Sequence, residues 1–190
     1  MLLAFHKPYG VLSAFTNDGS PNRPLSEFGF PKHVYPLGRL DADSEGLLLL
    51  SDEAGLNTRL LDPEFGHLRT YWAQVERVPE STSMEKLCRG VDIQGYRTQP
   101  CQACILEPQP IIPEREPPIR FRKSVPTCWI QLQLSEGKNR QVRKMTAAIG
   151  HPTLRLMREQ IGAFPLGDLA SGTWRILSDI ERQLVFEKQG

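Results

Sequence analysis

The chain has 190 residues, with 23 Lys and Arg against 22 Asp and Glu for a net charge of +1, and it is 39% hydrophobic and 24% charged. This is an ordinary globular composition that excludes fibrous and disordered classes, gives no sign of a nucleic-acid-coating protein, and predicts one domain or at most two, buried well enough to need no staples. No run approaches the roughly 18 apolar residues that span a bilayer, and His6, Lys7 and Pro8 interrupt the N-terminus before a signal-peptide core develops, so a soluble cytoplasmic protein with no membrane partner is expected.

In chain order, Leu2 to Phe5, a Lys-Pro-Tyr-Gly turn, Val11 to Phe15, Asn17-Asp18-Gly19 and a Pro-rich passage to Pro36 predict short strands joined by tight turns. Leu47 to Leu50 is too short for a typical helix and suits a strand buried on both faces, followed by a short helix from Ala54 to Leu61 that Pro63 stops. Arg69 to Glu76 alternates as a strand, with Tyr71, Ala73 and Val75 on one face. Thr82-x-x-Glu85 predicts a capping box opening a brief helix that Gly90 ends, and Gln102 to Glu107 is a further strand. Pro108 to Pro118, with five prolines, excludes regular structure. Thr127 to Ser135 alternates again. Asn139 to Ile149 has helical spacing, with Val142, Met145 and Ile149 on one face, Arg140, Arg143 and Lys144 on another, and Gly150 as its stop. A strand from Thr153 to Met157, a Gly-Asp turn, a strand at Trp174 to Leu177 and a helix capped by Ser178-x-x-Glu181 complete the chain.

The flat net charge hides an uneven layout. Between Arg115 and Glu159 there are ten cations and three anions, a block of +7 set against −6 elsewhere. Such a block is either a solvated face or a surface for a polyanion. Four cysteines raise the question of zinc, but the single Cys101-x-x-Cys104 lacks a second hook: neither Cys88 nor Cys128 has a neighbouring Cys or His at ligand spacing. Reduced thiols and no metal are expected.

The densest unusual chemistry is Gly38-Arg39-Leu40-Asp41-Ala42-Asp43-Ser44-Glu45-Gly46-Leu47. Its acids, with Asp52, fall at calcium-loop spacings, but the loop would have to include four leucines. A phosphatase Asp-x-Asp would follow an apolar strand, whereas here the apolar run comes after the acids. A third reading is one catalytic carboxylate on a tight loop, kept ionised by a nearby cation such as Arg39, with the other acids exposed. The local string leaves that reading and a plain Asp/Ser turn both open.

Gly38-Arg39-Leu40-Asp41-x-x-Ser44-Glu45-Gly46-Leu47 resembles the signature of the pseudouridine synthases, of the RsuA branch. Arg69-Thr70-Tyr71 and Glu136-Gly137-Lys138-Asn139-Arg140-Gln141-Val142-Arg143-Lys144-Met145 are similar to the family's second and third motifs, in the same order, and the resemblance runs from Phe5 to about Arg175. It implies an α+β fold with a mostly antiparallel central sheet, peripheral helices and a basic active-site cleft. Many members begin with an S4 RNA-binding domain. Here Lys7-Pro8-Tyr9-Gly10 lies at the N-terminus, so a single catalytic domain over residues 1–190, with room for two subdomains and no S4 domain, is expected. Pro117-Pro118-Ile119-Arg120 and Pro152 to Leu156 resemble the large-subunit enzymes that lack S4, which implies 23S ribosomal RNA as the partner.

The resemblance also implies roles. Asp41 is the catalytic carboxylate, attacking C1′ or removing the C2′ proton; Arg143, or else Arg140, pairs with it; Tyr71 stacks on the target uracil. The isomerisation has no redox or energy input, so no cofactor is implied. Arg39 fills the space of a flipped base or holds a phosphate, and Arg120, Arg122, Lys123, Lys138, Lys144 and Arg155 are expected as a group of RNA contacts. The rivals are a non-catalytic RNA-binding protein, a synthase acting on another RNA, and a glycoside hydrolase, which would need a second carboxylate at the site.

Overall fold

The computed structural model describes residues 1–62, 66–119 and 124–187. The chain divides into two compact units, residues 1–69 with 157–190 and residues 70–156.

The first unit is built on β1 (Leu2–Lys7), β2 (Tyr35–Leu37) and β3 (Glu45–Ser51). β1 lies antiparallel to β3, from Leu2 opposite Ser51 to Lys7 opposite Gly46, and β2 also pairs with β3. Every residue of β3 is buried, with Leu47 to Leu50 each at 0% exposure, so the four-leucine run is a doubly covered strand as expected. Each such leucine contributes about 1.5–3 kcal/mol relative to an exposed one. The predicted helix is α1 (Leu56–Leu61), while Pro63 lies outside the described residues. The expected strand at Val11 to Phe15 is absent: one bridge joins Val11 to Arg23, and Leu25–Phe28 forms a turn of 3-10 helix. The apolar side chains there serve packing instead, since Phe15 and Phe28 join a ring cluster with Phe5 and Phe30.

The second unit runs through β4 (Arg69–Glu76), α2 (Ser81–Cys88), the hairpin β5 (Asp92–Ile93) and β6 (Tyr96–Arg97), β7 (Gln102–Ile105), β8 (Thr127–Leu134) and α3 (Gln141–Ala148). β8 lies between β4 and β7, antiparallel to β7, and α2 packs on β7. Alternation works as predicted: Ala73, Val75, Ile130, Leu132 and Leu134 enter the core, joined by Val142 and Met145 of α3.

Two local expectations fail in this unit. Thr82 caps nothing, because α2 already begins at Ser81 with Glu80 as its N-cap and no side-chain cap; Glu85 instead pairs with Arg89 one turn on, at 3.1 Å. α3 starts two residues later than the spacing suggests, at Gln141, with Arg140 as N-cap in the left-handed region at φ 52°. Asn139 and Arg140 therefore belong to the preceding turn, and Arg140 does not share a helical face with Arg143 and Lys144.

β9 (Thr153–Ile161) is longer than predicted and returns the chain to the first unit, where Glu45 and Gly46 pair with Met157 and Arg158 in a parallel bridge. β10 (Phe164–Pro165) pairs with β9, β11 (Trp174–Ile176) pairs with β1, and α4 (Asp179–Phe186) begins with the expected capping box. Its Arg182 clasps Glu53, which is held down to about 2 chiefly by that guanidinium. No helix among the described residues is long and apolar enough to cross a membrane.

Candidate active site

In the first unit, Asp41 sits half-buried on the loop between β2 and β3. Backbone bonds close that loop: the Ser44 N–H donates to the Asp41 carbonyl at 3.0 Å, and the Gly10 N–H donates to the Ala42 carbonyl at 2.7 Å. Ser13 braces the approach, its Oγ donating to the Leu40 carbonyl at 2.8 Å while accepting from the Leu40 N–H at 3.0 Å. Just past the loop, Gly46, the second residue of β3, has φ 99°, and a Cβ there would lie 2.4 Å from the Arg158 carbonyl oxygen. Only glycine lets β9 approach so closely in that conformation.

Of the cations expected near Asp41, Arg39, the one in its own loop, has an exposed side chain. The residue that sequence reasoning missed is Lys7. Lys7 is fully buried, and its Nζ donates to the carbonyls of Val11 at 2.7 Å and Pro8 at 3.0 Å. Burial pushes its ammonium down to about 7, opposed by the nearby carboxylates of Glu45, Asp43 and Asp41, with the Arg158 guanidinium lowering it further. Glu45 itself is 4% exposed and Arg158 likewise, with Arg158 Nε donating to the Leu47 carbonyl at 2.8 Å. The expectation that the acids around Asp41 lie exposed is thus wrong for Glu45: it belongs to a buried charge cluster, because β3 begins there rather than at Leu47. The available signal was Lys7 itself, a lysine ending an apolar strand just before a Pro-Tyr-Gly turn.

In the second unit, Tyr71 is partly buried against the core. Arg143 is half-buried on α3, and its Nη1 donates to the Thr153 carbonyl at 3.3 Å. The turn before α3 has one backbone bond, from the Gln141 N–H to the Lys138 carbonyl at 3.1 Å, and is otherwise held by side chains. The Glu136 carboxylate accepts from Tyr96 Oη at 2.5 Å, from the Gln99 N–H at 2.9 Å and from Gln141 Nε2 at 2.5 Å, and Gln141 Oε1 accepts the Lys138 N–H at 2.8 Å. Lys138 is exposed, with its ammonium 4.8 Å from the centre of the Tyr96 ring. This arrangement presents Lys138, Asn139 and Arg140 to solvent.

The expected RNA-contact group divides. Lys138 and Arg140 are exposed and Lys144 is half-exposed. Arg155 differs: it is 8% exposed, donates to the Pro113 carbonyl at 2.7 Å and lies 6.0 Å from the Trp129 ring, so it anchors the Pro-rich segment rather than facing solvent. Arg120, Arg122 and Lys123 lie outside the described residues. The Cys101 thiol serves local structure: its Sγ donates to the Leu87 carbonyl at 3.3 Å, and burial pushes it up to about 12.

A family model described as RNA pseudouridylate synthase matches residues 1–148. The chain is 50% identical over 177 residues to the ribosomal large subunit pseudouridine synthase E of Xanthomonas campestris pv. campestris, covering 93% of this chain and 95% of that one. It is 45% identical to the protein of the same name from Vibrio vulnificus, covering 93% of this chain and 75% of that one. Among solved structures, a pseudouridylate synthase crystal structure superposes with a TM-score of 0.79 at 25% identity, over 97% of this chain and 73% of that one, which bears out the expected α+β class. Sequence, motif order and fold agree: the chain belongs to the RNA pseudouridylate synthase family.

Proposed function

We propose that this pseudouridine synthase isomerises one uridine of large-subunit (23S) ribosomal RNA in the cytoplasm. The observation that carries the substrate is the agreement of relatives at 44–51% identity, over 90–93% of this chain, whose names specify the large ribosomal subunit.

The reaction breaks the N1–C1′ bond, turns the uracil and forms a C5–C1′ bond, after which the C5 proton leaves. Asp41 acts as the catalytic carboxylate, and either opening step, attack on C1′ or removal of the C2′ proton, requires it ionised and fixed. The closed loop around Asp41 suits that demand. Arg143 is assigned as the guanidinium that pairs with Asp41, with Arg140 in reserve, and Tyr71 as the ring that stacks on the uracil. A stacked uridine is out of reach, so the nucleotide is flipped, with Arg39 taking its place or holding its phosphate. Lys138 and Lys144, with Arg120, Arg122 and Lys123, supply phosphate contacts. Arg155, being buried, is left out of this set.

The test uses 23S ribosomal RNA carrying tritium at uridine C5, naked and in pre-ribosomal particles. The wild-type chain releases label to water, and Asp41→Asn lowers release by at least about a thousandfold while melting like the wild type. Absence of release from every ribosomal substrate, or release by Asp41→Asn at the wild-type rate, would overturn the assignment.

A further inference from the structure

The first unit holds a cavity of about 400 Å³ that none of the motif residues enters. Its lining includes Phe15, Ser26, Phe30, Lys32, His33 and Tyr35, and no Asp or Glu among the described residues. The nearest acid in sequence, Glu27, is occupied by Arg23 Nε at 2.7 Å. Tyr35 is 66% exposed and Lys32 and His33 are exposed as well, so one ring and two basic groups are available to a ligand.

The wall behind them is packed ring against ring. Phe30 stacks on Trp174, with centroids 5.7 Å apart and planes at 28°, and meets Phe5 and Phe15 edge-on at 5.1 and 5.9 Å. Trp174 is itself pinned through Nε1, which donates to the Phe28 carbonyl at 3.0 Å. Of the lining rings, Phe15 and Phe30 are thus already packed and cost a ligand little ordering, while Tyr35 stands exposed at the rim.

Aromatic faces combined with the Lys32 ammonium and the His33 imidazole, and with no carboxylate among the described lining, match an unpaired nucleotide, whose base stacks while its phosphate meets an ammonium. An apolar peptide would leave Lys32 unanswered, and an acidic one would leave the rings unused. Location agrees. Tyr35 lies on β2 and Asp41 follows six residues later, which places the two Cα atoms within about 20 Å.

We propose that this cavity is a binding subsite for one unpaired nucleotide of the RNA, near the target uridine, with its base on Tyr35 and its phosphate at Lys32. The proposal rests on the reading of the chain as a ribosomal RNA pseudouridine synthase. A nucleotide held here discriminates among uridines by their flanking, single-stranded context, which a phosphate-tracking basic surface alone does not do.

Two measurements test it. In tritium-release kinetics with 23S ribosomal RNA, Tyr35→Ala raises KM about tenfold, the loss falls on KM rather than kcat, and Tyr35→Phe, which keeps the ring, recovers most of it. In photocrosslinking with 4-thiouridine-substituted 23S transcript, the wild-type chain yields an adduct within residues 30–35, and Lys32→Ala reduces its yield. A KM for Tyr35→Ala within twofold of wild type, or no adduct in that segment, overturns the subsite. If the wild-type chain releases no tritium, the activity fails, and the crosslink then decides the site alone: an adduct supports it and its absence overturns it.

Discussion

The Asp41 loop and the turn before α3 are held by different balances of bonds, mainly backbone in the first and mainly side chain in the second. The Asp41 loop closes by backbone bonds over a buried lysine and leads into a glycine pressed against β9. The turn before α3 is held mainly by side chains of Glu136, Tyr96 and Gln141, and its Lys138, Asn139 and Arg140 are exposed. A group that must make or break a bond tolerates little displacement. Groups that meet phosphates do so through a long-range field and tolerate more. On this account, damage to the residues that seat the first loop, Gly46 and Lys7, costs fold and catalysis together, loss of the Asp41 carboxylate alone costs catalysis, and damage to the second loop weakens RNA binding in steps.

The strongest way to break the contrast is Gly46→Ala. With a Cβ 2.4 Å from the Arg158 carbonyl and a left-handed backbone, the substitution costs about 3 kcal/mol or more in urea unfolding. A loss under about 1 kcal/mol would mean that the loop is not rigidly seated.

Lys7→Met probes the buried charge. In the folded chain the Lys7 ammonium lies at about 7 rather than its ordinary 10.5, because burial favours the neutral amine. Between those values the unfolded chain holds more protons, so this group makes stability rise as pH increases. Wild type should gain on the order of 2 kcal/mol relative to Lys7→Met between pH 7 and pH 9. Parallel stability curves for the two proteins would place the ammonium in water.

For the second loop the expected effects are smaller and fall on binding. Lys138→Ala combined with Lys144→Ala makes the slope of log affinity against log salt shallower by about 1.5, as two phosphate contacts are lost. An unchanged slope removes both lysines from the interface. Tyr96→Phe deletes one of the bonds on Glu136 and loosens the turn that displays Lys138, raising KM about threefold. A fall in kcat instead would mean that this turn positions reacting groups as tightly as the first loop does.

Local pattern made some of this legible and tertiary context hid the rest. Leu47 to Leu50 and the alternation at Thr127 to Leu134 were readable because burial follows directly from side-chain period. The two capping-box strings show where this stops. Ser178-x-x-Glu181 caps α4, whereas Thr82-x-x-Glu85 does not, because Glu80 starts α2 early and Thr82 falls inside the first turn. Lys7, Glu45 and Arg158 are far apart in sequence and become one buried cluster only when β1, β3 and β9 come together, so no local string contains it. The net charge misled for a related reason: a sum over the chain cannot show that an excess of seven positive charges lies between Arg115 and Glu159, offset by the acids elsewhere.

The central claim, that this chain modifies a large-subunit uridine through Asp41, is tested most directly by mapping pseudouridine across 23S ribosomal RNA in cells lacking the chain. The map should lose one site, which the wild-type gene restores and the Asp41→Asn gene does not. An unchanged map, or restoration by Asp41→Asn, would contradict the account.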